Sequence, residues 1–445
     1  MSAPGGNRVA VVGAGLAGSL LACFLARRGH AVTLYERRPD PRGGAAERGR
    51  SINLALSERG LDALRRIGLD TAVMAAALPM RGRMVHPVAG EPDFQPYSLD
   101  GDRAINSISR GALNNALLDA AAARPGVTVR FAHKLVGLDA KTGALAFETP
   151  DGRVEADADI VLGADGAGSA TRGALHDAGL VGEDVEFLDY GYKELSIPAG
   201  ADGDFALDPG ALHIWPRGSS MMIALPNPDR SFTCTLFWPL TGAGSFAALT
   251  TDAEIGGHFA AHYPDVPALA PDLVADFRAN PVGKLGTVRT HPWQAYGRVA
   301  LVGDAAHAIV PFYGQGANCA FEDVVELDRC LDAHGDDWPA ALAAYERNRA
   351  DNAEAIARMA LENFVEMRDR VASPVFLAGR RVEHALQRAL PSLYLSRYEL
   401  VSFSTMPYAA VQRRIRRQHR VLAAAAAGLG GTGLLLLARA LRGRR

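Results

Sequence analysis

Three rhythms of apolar and polar positions follow one another along residues 8–36, RVAVVGAGLAGSLLACFLARRGHAVTLYE. A short apolar run of strand length ends in Gly13, Gly15 and Gly18, a stretch of helical period follows, and Gly29 closes it before the second strand AVTLYE. The same kind of apolar run recurs in DADIVLGADG (157–166) and in RVALVGD (298–304). Between about 185 and 245 the texture changes to ALHIWP, SMMIALP and SFTCTLFWP, separated by RGS and NPD turns. SFTCTLFW alternates residue by residue, which predicts an antiparallel sheet with one buried face. Residues 339–371 return to helical spacing with mixed charge, and Pro374 and Pro391 punctuate further helical pieces. The pattern predicts an α/β protein: a Rossmann-type nucleotide-binding domain, an antiparallel β-sheet domain and C-terminal helices.

Composition narrows the class only a little. The chain has 445 residues, 48% hydrophobic and 22% charged, which suits two to three folded domains and excludes disordered or fibrous readings. Four cysteines without a CxxC argue against a disulfide scaffold or a zinc site and suit a reducing compartment, so the cytoplasm is the expected location. No targeting signal precedes the first apolar run. Charge is more telling than its total of −2. No acidic residue follows Glu399, whereas nine arginines lie between Arg413 and Arg445, leaving about −11 on the first 400 residues. An acidic body gives no support to nucleic-acid binding. The tail also holds 18 consecutive uncharged residues, Val421 to Ala438, between RRIRRQHR and RALRGRR. That length is the lower limit for a spanning helix, and four glycines make it weakly apolar. Two readings stand side by side: a membrane anchor or surface-lying helix, and an Ala/Gly tail that packs on a partner or stays unfolded.

GAGLAG in its strand–turn–helix–strand context is a dinucleotide fingerprint. Gly13 permits the tight turn, Gly15 lets the backbone approach a pyrophosphate, and Gly18 lets the helix pack closely. The helix N-terminus then offers unpaired N–H groups and a partial positive charge. Glu36, 23 residues after Gly13, is placed to accept hydrogen bonds from a ribose. Alone, this motif identifies only an ADP-containing cofactor.

GxGxxG, then Asp165-Gly166, then Gly303-Asp304, with an antiparallel block between the last two, resemble the flavoprotein aromatic hydroxylases. The resemblance implies FAD, with Asp304 on its ribityl chain and the loop Pro311–Asn318 beside the isoalloxazine ring. The helix starting near Gly316 would turn its N-terminus to the flavin and favour its anionic reduced form. Gly13, Gly15, Leu16, Gly18, Glu36, Arg37, Ala55, Arg110, Leu135, Asp165, Asp304, Gly316, Ala317 and Asn318 are the cofactor contacts so implied, Arg110 following a helix-opening Ser109. Only one GxGxxG is present, so NADPH is expected to dock transiently, reduce the flavin and leave.

Closer likeness narrows the substrate. GRSINLALSERGL (49–61), PMRGRMVHP (79–87), AINSISRGALNNALL (104–118), VPFYGQGANCAFEDV (310–324), ALENFVEMRD (360–369) and RYELVSFSTMPYAAV (397–411) resemble segments of the kynurenine 3-monooxygenases. This covers essentially the whole catalytic body; Ala317 departs from the family, in which a bulkier Met is frequent. The resemblance implies hydroxylation of L-kynurenine to 3-hydroxy-L-kynurenine with O2, through a C4a-hydroperoxyflavin. It divides the chain into a discontinuous FAD-binding domain (1–80, 100–180 and 285–335), a substrate-binding β-sheet domain (81–99 and 181–284), a C-terminal helical region (336–420) and an apolar/basic tail (421–445). Arg83 would clamp the substrate carboxylate bidentately, with Tyr97, Asn363 and Tyr398 completing the polar end. An aniline ring is electron-rich, so no acid–base catalyst is assigned; Phe312, Tyr313 and Gln315 are expected to shape the oxygen pocket. His307 is expected to pack or hydrogen-bond beneath the flavin loop. His258 and His262, spaced i, i+4, lack an evident third ligand, and no metal is expected. The other readings are a flavin hydroxylase of another aromatic amine or acid, and a membrane-tethered flavin redox protein.

Overall fold

A computed structural model describes residues 6–43, 53–98, 100–370, 388, 394–422 and 424 of the chain. The fingerprint segment folds as read: strand Arg8–Val12, helix Leu16–Arg27 and strand Ala31–Tyr35. Arg8–Val12 lies at the centre of a six-stranded sheet, between Ile160–Gly163 and Ala31–Tyr35, both parallel to it. Val127–Arg130 extends the parallel set on one side and Val299–Leu301 on the other, with Gln294–Ala295 as an antiparallel edge. A strand covered on both faces needs no alternation, and Val9 to Val12 are all buried. The helix Leu16–Arg27 is apolar nearly all round because it is wedged among the sheet and the helices Arg110–Ala122 and Gly316–His334.

The second large sheet has seven strands. Its order is Gly283–His291, Gly182–Ile197, Phe232–Pro239, Met221–Pro226, Ala211–Pro216, Gly82–Val85 and Asp93–Pro96. All neighbours are antiparallel except Ala211–Pro216 with Gly82–Val85, which places Leu212 beside Arg83. The expectation of one buried face is corrected here, because both faces are covered. Trp215, Met222, Ala224, Cys234, Leu236 and Trp238 pack against three helices, Asp252–His262, Val266–Leu269 and Leu273–Ala279. The alternate positions, Leu212, Met221, Ile223, Leu225, Thr235 and Phe237, line a cavity on the other side. The period of two was real; it separated two kinds of buried side chain instead of inside from outside.

The helix Trp338–Val365 runs on into a π-helical turn, Glu366–Arg370, and a short helix, Arg397–Ser402, and a helix over 408–422 pack beside it. Pro374, Pro391 and nearly all of the uncharged stretch 421–438 lie outside the described residues. Among the described residues, no helix is long and apolar enough to cross a membrane.

Candidate active site

A cavity of about 710 Å³ runs from the glycine turn to the seven-stranded sheet. At its first end Gly13 has φ +98°, and a Cβ there would lie 2.6 Å from the Ala164 carbonyl, so the turn is closed to any other residue. A Cβ at Gly15 would meet nothing within 4 Å, which leaves the turn open towards the cavity. Gly18 does not line the cavity; a Cβ there would sit 1.9 Å from the Gly13 carbonyl oxygen. Its smallness is therefore used to seat the helix on the turn.

Glu36 accepts from the Ala14 N–H (3.0 Å) and from the Arg38 backbone and side chain (3.0 and 2.9 Å). Leu16, Arg37, Ala55, Arg110 and Leu135 line the same end, with Arg110 the first residue of a helix capped by Ser109. Asp165 is there too, but its carboxylate is taken by the Ser169 hydroxyl (2.5 Å) and the Thr171 N–H (2.9 Å), so it shapes its own turn. Asp304 differs. It lines the cavity and has no hydrogen-bond or ion-pair partner among the described residues, and burial raises its carboxyl above the ordinary value.

The helix Gly316–His334 begins at the cavity wall, with Gly316, Ala317 and Asn318 on its lining. The Asn318 amide is spent internally: it donates to the carbonyls of Ala55 (2.9 Å) and Gly314 (2.8 Å) and accepts from the Ser57 N–H (3.0 Å). Only the backbone of Asn318 remains for a ligand. Gln315 corrects the expectation of an oxygen-pocket residue. It does not line the cavity, and its side chain is buried against Ser57 and Tyr408. Phe312 and Tyr313 do line it.

At the other end the sheet delivers Arg83, and the C-terminal elements deliver Asn363 and Tyr398. Tyr97 and Tyr398 stack 4.6 Å apart, and the Arg83 guanidinium lies 5.9 and 5.1 Å from their ring centroids. Arg83 is buried and forms no ion pair with a carboxylate among the described residues. Burial pushes the Tyr97 phenol well above its usual value, and its hydroxyl lacks a well-aligned hydrogen bond. Asn363 donates to the Phe312 carbonyl (2.7 Å) and to Met367 Sδ (3.1 Å). Arg397, the residue before Tyr398, pairs with Glu362 and with Glu366 (3.2 Å) and so ties this short helix to the end of Trp338–Val365. The apolar walls, Leu212, Met221, Ile223, Leu225 and Phe237, escaped sequence reasoning, because a run such as SMMIALP is apolar at successive positions and does not mark which of them face the cavity.

His307 is buried beneath the turn, its Nε2 2.7 Å from Asp323 Oδ2, as expected for a supporting residue. His307, Cys319 and Asp323 offer ligand atoms within 4.8 Å of one another. Arg349 is already there, 2.6 Å from Asp323 and 3.2 Å from Cys319 Sγ, so the compensating positive charge is built in. The His258 and His262 rings lie 4.5 Å apart and tilted by 41°, burial and that neighbour lower His258 to about 4, and no third ligand joins them among the described residues.

Comparison with known proteins agrees with this geometry. Residues 7–360 match the family model described as FAD binding domain. The kynurenine 3-monooxygenase of Myxococcus xanthus (strain DK1622) is 51% identical over 405 residues, 90% of this chain and 87% of the relative. That of Stenotrophomonas maltophilia (strain K279a) is 49% identical over 430 residues, 96% of this chain and 94% of the relative. Among solved structures, a tetrameric form of 2-methyl-3-hydroxypyridine-5-carboxylic acid oxygenase has a TM-score of 0.66 at 22% identity, covering 87% of this chain and 98% of its own. The P. aeruginosa PqsL complex with 2-aminobenzoylacetate has a TM-score of 0.65 at 20% identity, covering 82% and 98%. These two show the shared fold. The chain belongs to the kynurenine 3-monooxygenases, FAD-dependent members of the flavoprotein aromatic hydroxylase family.

Proposed function

We propose that this chain hydroxylates L-kynurenine at the ring carbon ortho to its amine, giving 3-hydroxy-L-kynurenine, with bound FAD, NADPH and O2. One observation carries the substrate assignment beyond family membership: a buried guanidinium, Arg83, forms no ion pair with a carboxylate among the described residues. A buried cation without a direct ion pair is costly, and a carboxylate brought by the substrate would relieve that cost. Tyr97 and Tyr398 flank the guanidinium and would add hydroxyl donors to the same carboxylate. Asn363 has its amide nitrogen committed to Phe312, which leaves its oxygen for the substrate ammonium. Leu212, Met221, Ile223, Leu225, Phe237 and Phe312 form a slot suited to a flat ring.

The residues at the other end fit FAD. The open side of Gly15 leaves room for a pyrophosphate, Glu36 retains acceptor capacity for a ribose, and the unpartnered Asp304 carboxylate suits a polyol hydroxyl. The backbone N–H groups of Gly316 to Asn318 would carry the partial positive charge that stabilises an anionic ring. FAD, when bound, would supply the redox chemistry, namely hydride acceptance from NADPH and activation of O2. The protein's own part would be to hold the kynurenine ring in the apolar slot, keep water out of it, and anchor the amino-acid end. The discontinuous domain division, with 81–99 and 181–284 as the substrate half, is part of the same reading. It draws support from the pairing of Gly82–Val85 and Asp93–Pro96 into the large sheet.

Arg83→Met tests the clamp. The variant should retain FAD and fold while kcat/KM for kynurenine falls by about a hundredfold or more, mostly through KM. Unchanged kynurenine affinity would remove the clamp. The redox-protein alternative is not favoured, since relatives at about half identity over nine-tenths of the chain are monooxygenases by name.

A further inference from the structure

Gln315 sits at the N-cap of the helix Gly316–His334, one residue before the N–H groups that face the cavity. Its side chain leaves the cavity and is met from behind by the C-terminal segment. Tyr408 Oη donates to Gln315 Oε1 at 2.9 Å. The Tyr408 ring carries the Arg59 guanidinium 3.9 Å above its centre. Arg59 is fully buried and uses its remaining donors on Glu322 (2.5 Å) and on the carbonyls of Met406 (2.5 Å) and Val401 (3.2 Å). Glu322 is shared with Arg349 (2.5 Å), and Arg349 holds Asp323 (2.6 Å), which accepts the Gly303 N–H (3.0 Å) beside Asp304. Residues 401–408, the loop 311–316 and the Gly303-Asp304 turn are thus tied by one buried polar chain. Neither Tyr408 nor Arg59 lines the cavity.

We propose that Tyr408, stacked on Arg59 and hydrogen-bonded to Gln315, is a positioning residue: it sets the flavin-side loop and thereby decides how much consumed NADPH ends as hydroxylated product. The inference rests on the kynurenine hydroxylation proposed above. In the productive reaction, kynurenine, NADPH, H+ and O2 give 3-hydroxykynurenine, NADP+ and H2O, one oxygen atom entering the ring. In the unproductive one, NADPH, H+ and O2 give NADP+ and H2O2. Both consume two electrons from NADPH, and geometry at the ring edge selects between them. A hydrogen bond that acts only on Gln315 should move this partition without touching the carboxylate end.

The test uses Tyr408→Phe in the full-length, FAD-loaded protein, which keeps the ring on Arg59 and removes only the hydroxyl. Product per NADPH should fall at least twofold, with KM for kynurenine within twofold of the parent and FAD content unchanged. The visible circular dichroism of the bound flavin, read without turnover, should change shape. Gln315→Leu should give the same partition, and the double variant should be no worse than either single one. Parental circular dichroism and parental product yield in Tyr408→Phe would overturn the proposal. So would additive losses in the double variant, or a loss that follows only the unfolded fraction at the assay temperature. Absence of hydroxylated product from the parent itself would sink the kynurenine assignment instead, and the flavin spectrum would still decide the role of Tyr408.

Discussion

Side chains of the same type divide here by whether the fold has already satisfied them. Asp165 and Asp304 both end apolar strand runs and are both expected as cofactor residues, yet Asp165 spends its carboxylate on Ser169 and Thr171 while Asp304 makes no hydrogen bond or ion pair among the described residues. Asn318 is consumed by backbone groups, and Arg83 forms no ion pair among the described residues. Spacing cannot reveal this difference, because it depends on which backbone atoms a distant segment delivers. It has a thermodynamic signature. A half-buried carboxylate without a hydrogen bond costs stability until a ligand supplies one, so Asp304→Asn should raise the melting temperature of the FAD-free protein while weakening FAD binding. The pH dependence follows in sign. Burial raises the Asp304 pKa in the folded state above its unfolded value near 3.8, so the folded state holds the proton more tightly. Its contribution is fully present below that unfolded value and is lost as pH rises through the folded pKa; the asparagine variant should lack this term. Thermal unfolding of both FAD-free proteins across acidic to neutral pH measures it, and equal curves would contradict it.

Elements were legible in proportion to how local their cause is. The strand–turn–helix–strand unit was readable in full, since glycines, apolar runs and Gly29 act within a few residues of one another. The large sheet was readable in its three middle strands. Its edge strands Gly283–His291 and Asp93–Pro96 were not, because only pairing with distant chain makes them strands. Helix and turn also explain why two glycines of one motif should behave differently when substituted. Gly15→Val points a side chain into open space, so the FAD-free fold should keep its melting temperature while FAD content collapses. Gly18→Ala drives a Cβ onto the Gly13 carbonyl, and the helix must lift from the turn at a cost of about 3 kcal/mol. Melting curves and flavin absorbance of the two purified variants separate the effects; equal loss of stability in both would contradict this division of labour.

At the scale of the molecule, the cavity is assembled from pieces that are remote in sequence. The nucleotide-binding sheet supplies the glycine turn, the seven-stranded sheet supplies Arg83 and the ring slot, and the C-terminal helices supply Asn363 and Tyr398. Each piece is incomplete alone, which is why composition and single motifs could identify a cofactor but not a substrate. On the proposed reading, the polar clamp at one end and the nucleotide turn at the other would hold substrate and cofactor across one continuous cavity. The most direct test of this account is NADPH consumption by the FAD-loaded protein with and without L-kynurenine, alongside assays for 3-hydroxykynurenine and peroxide. The account predicts strong stimulation by kynurenine, with 3-hydroxykynurenine formed close to one per NADPH consumed. NADPH oxidation indifferent to kynurenine, with no hydroxylated product, would contradict it.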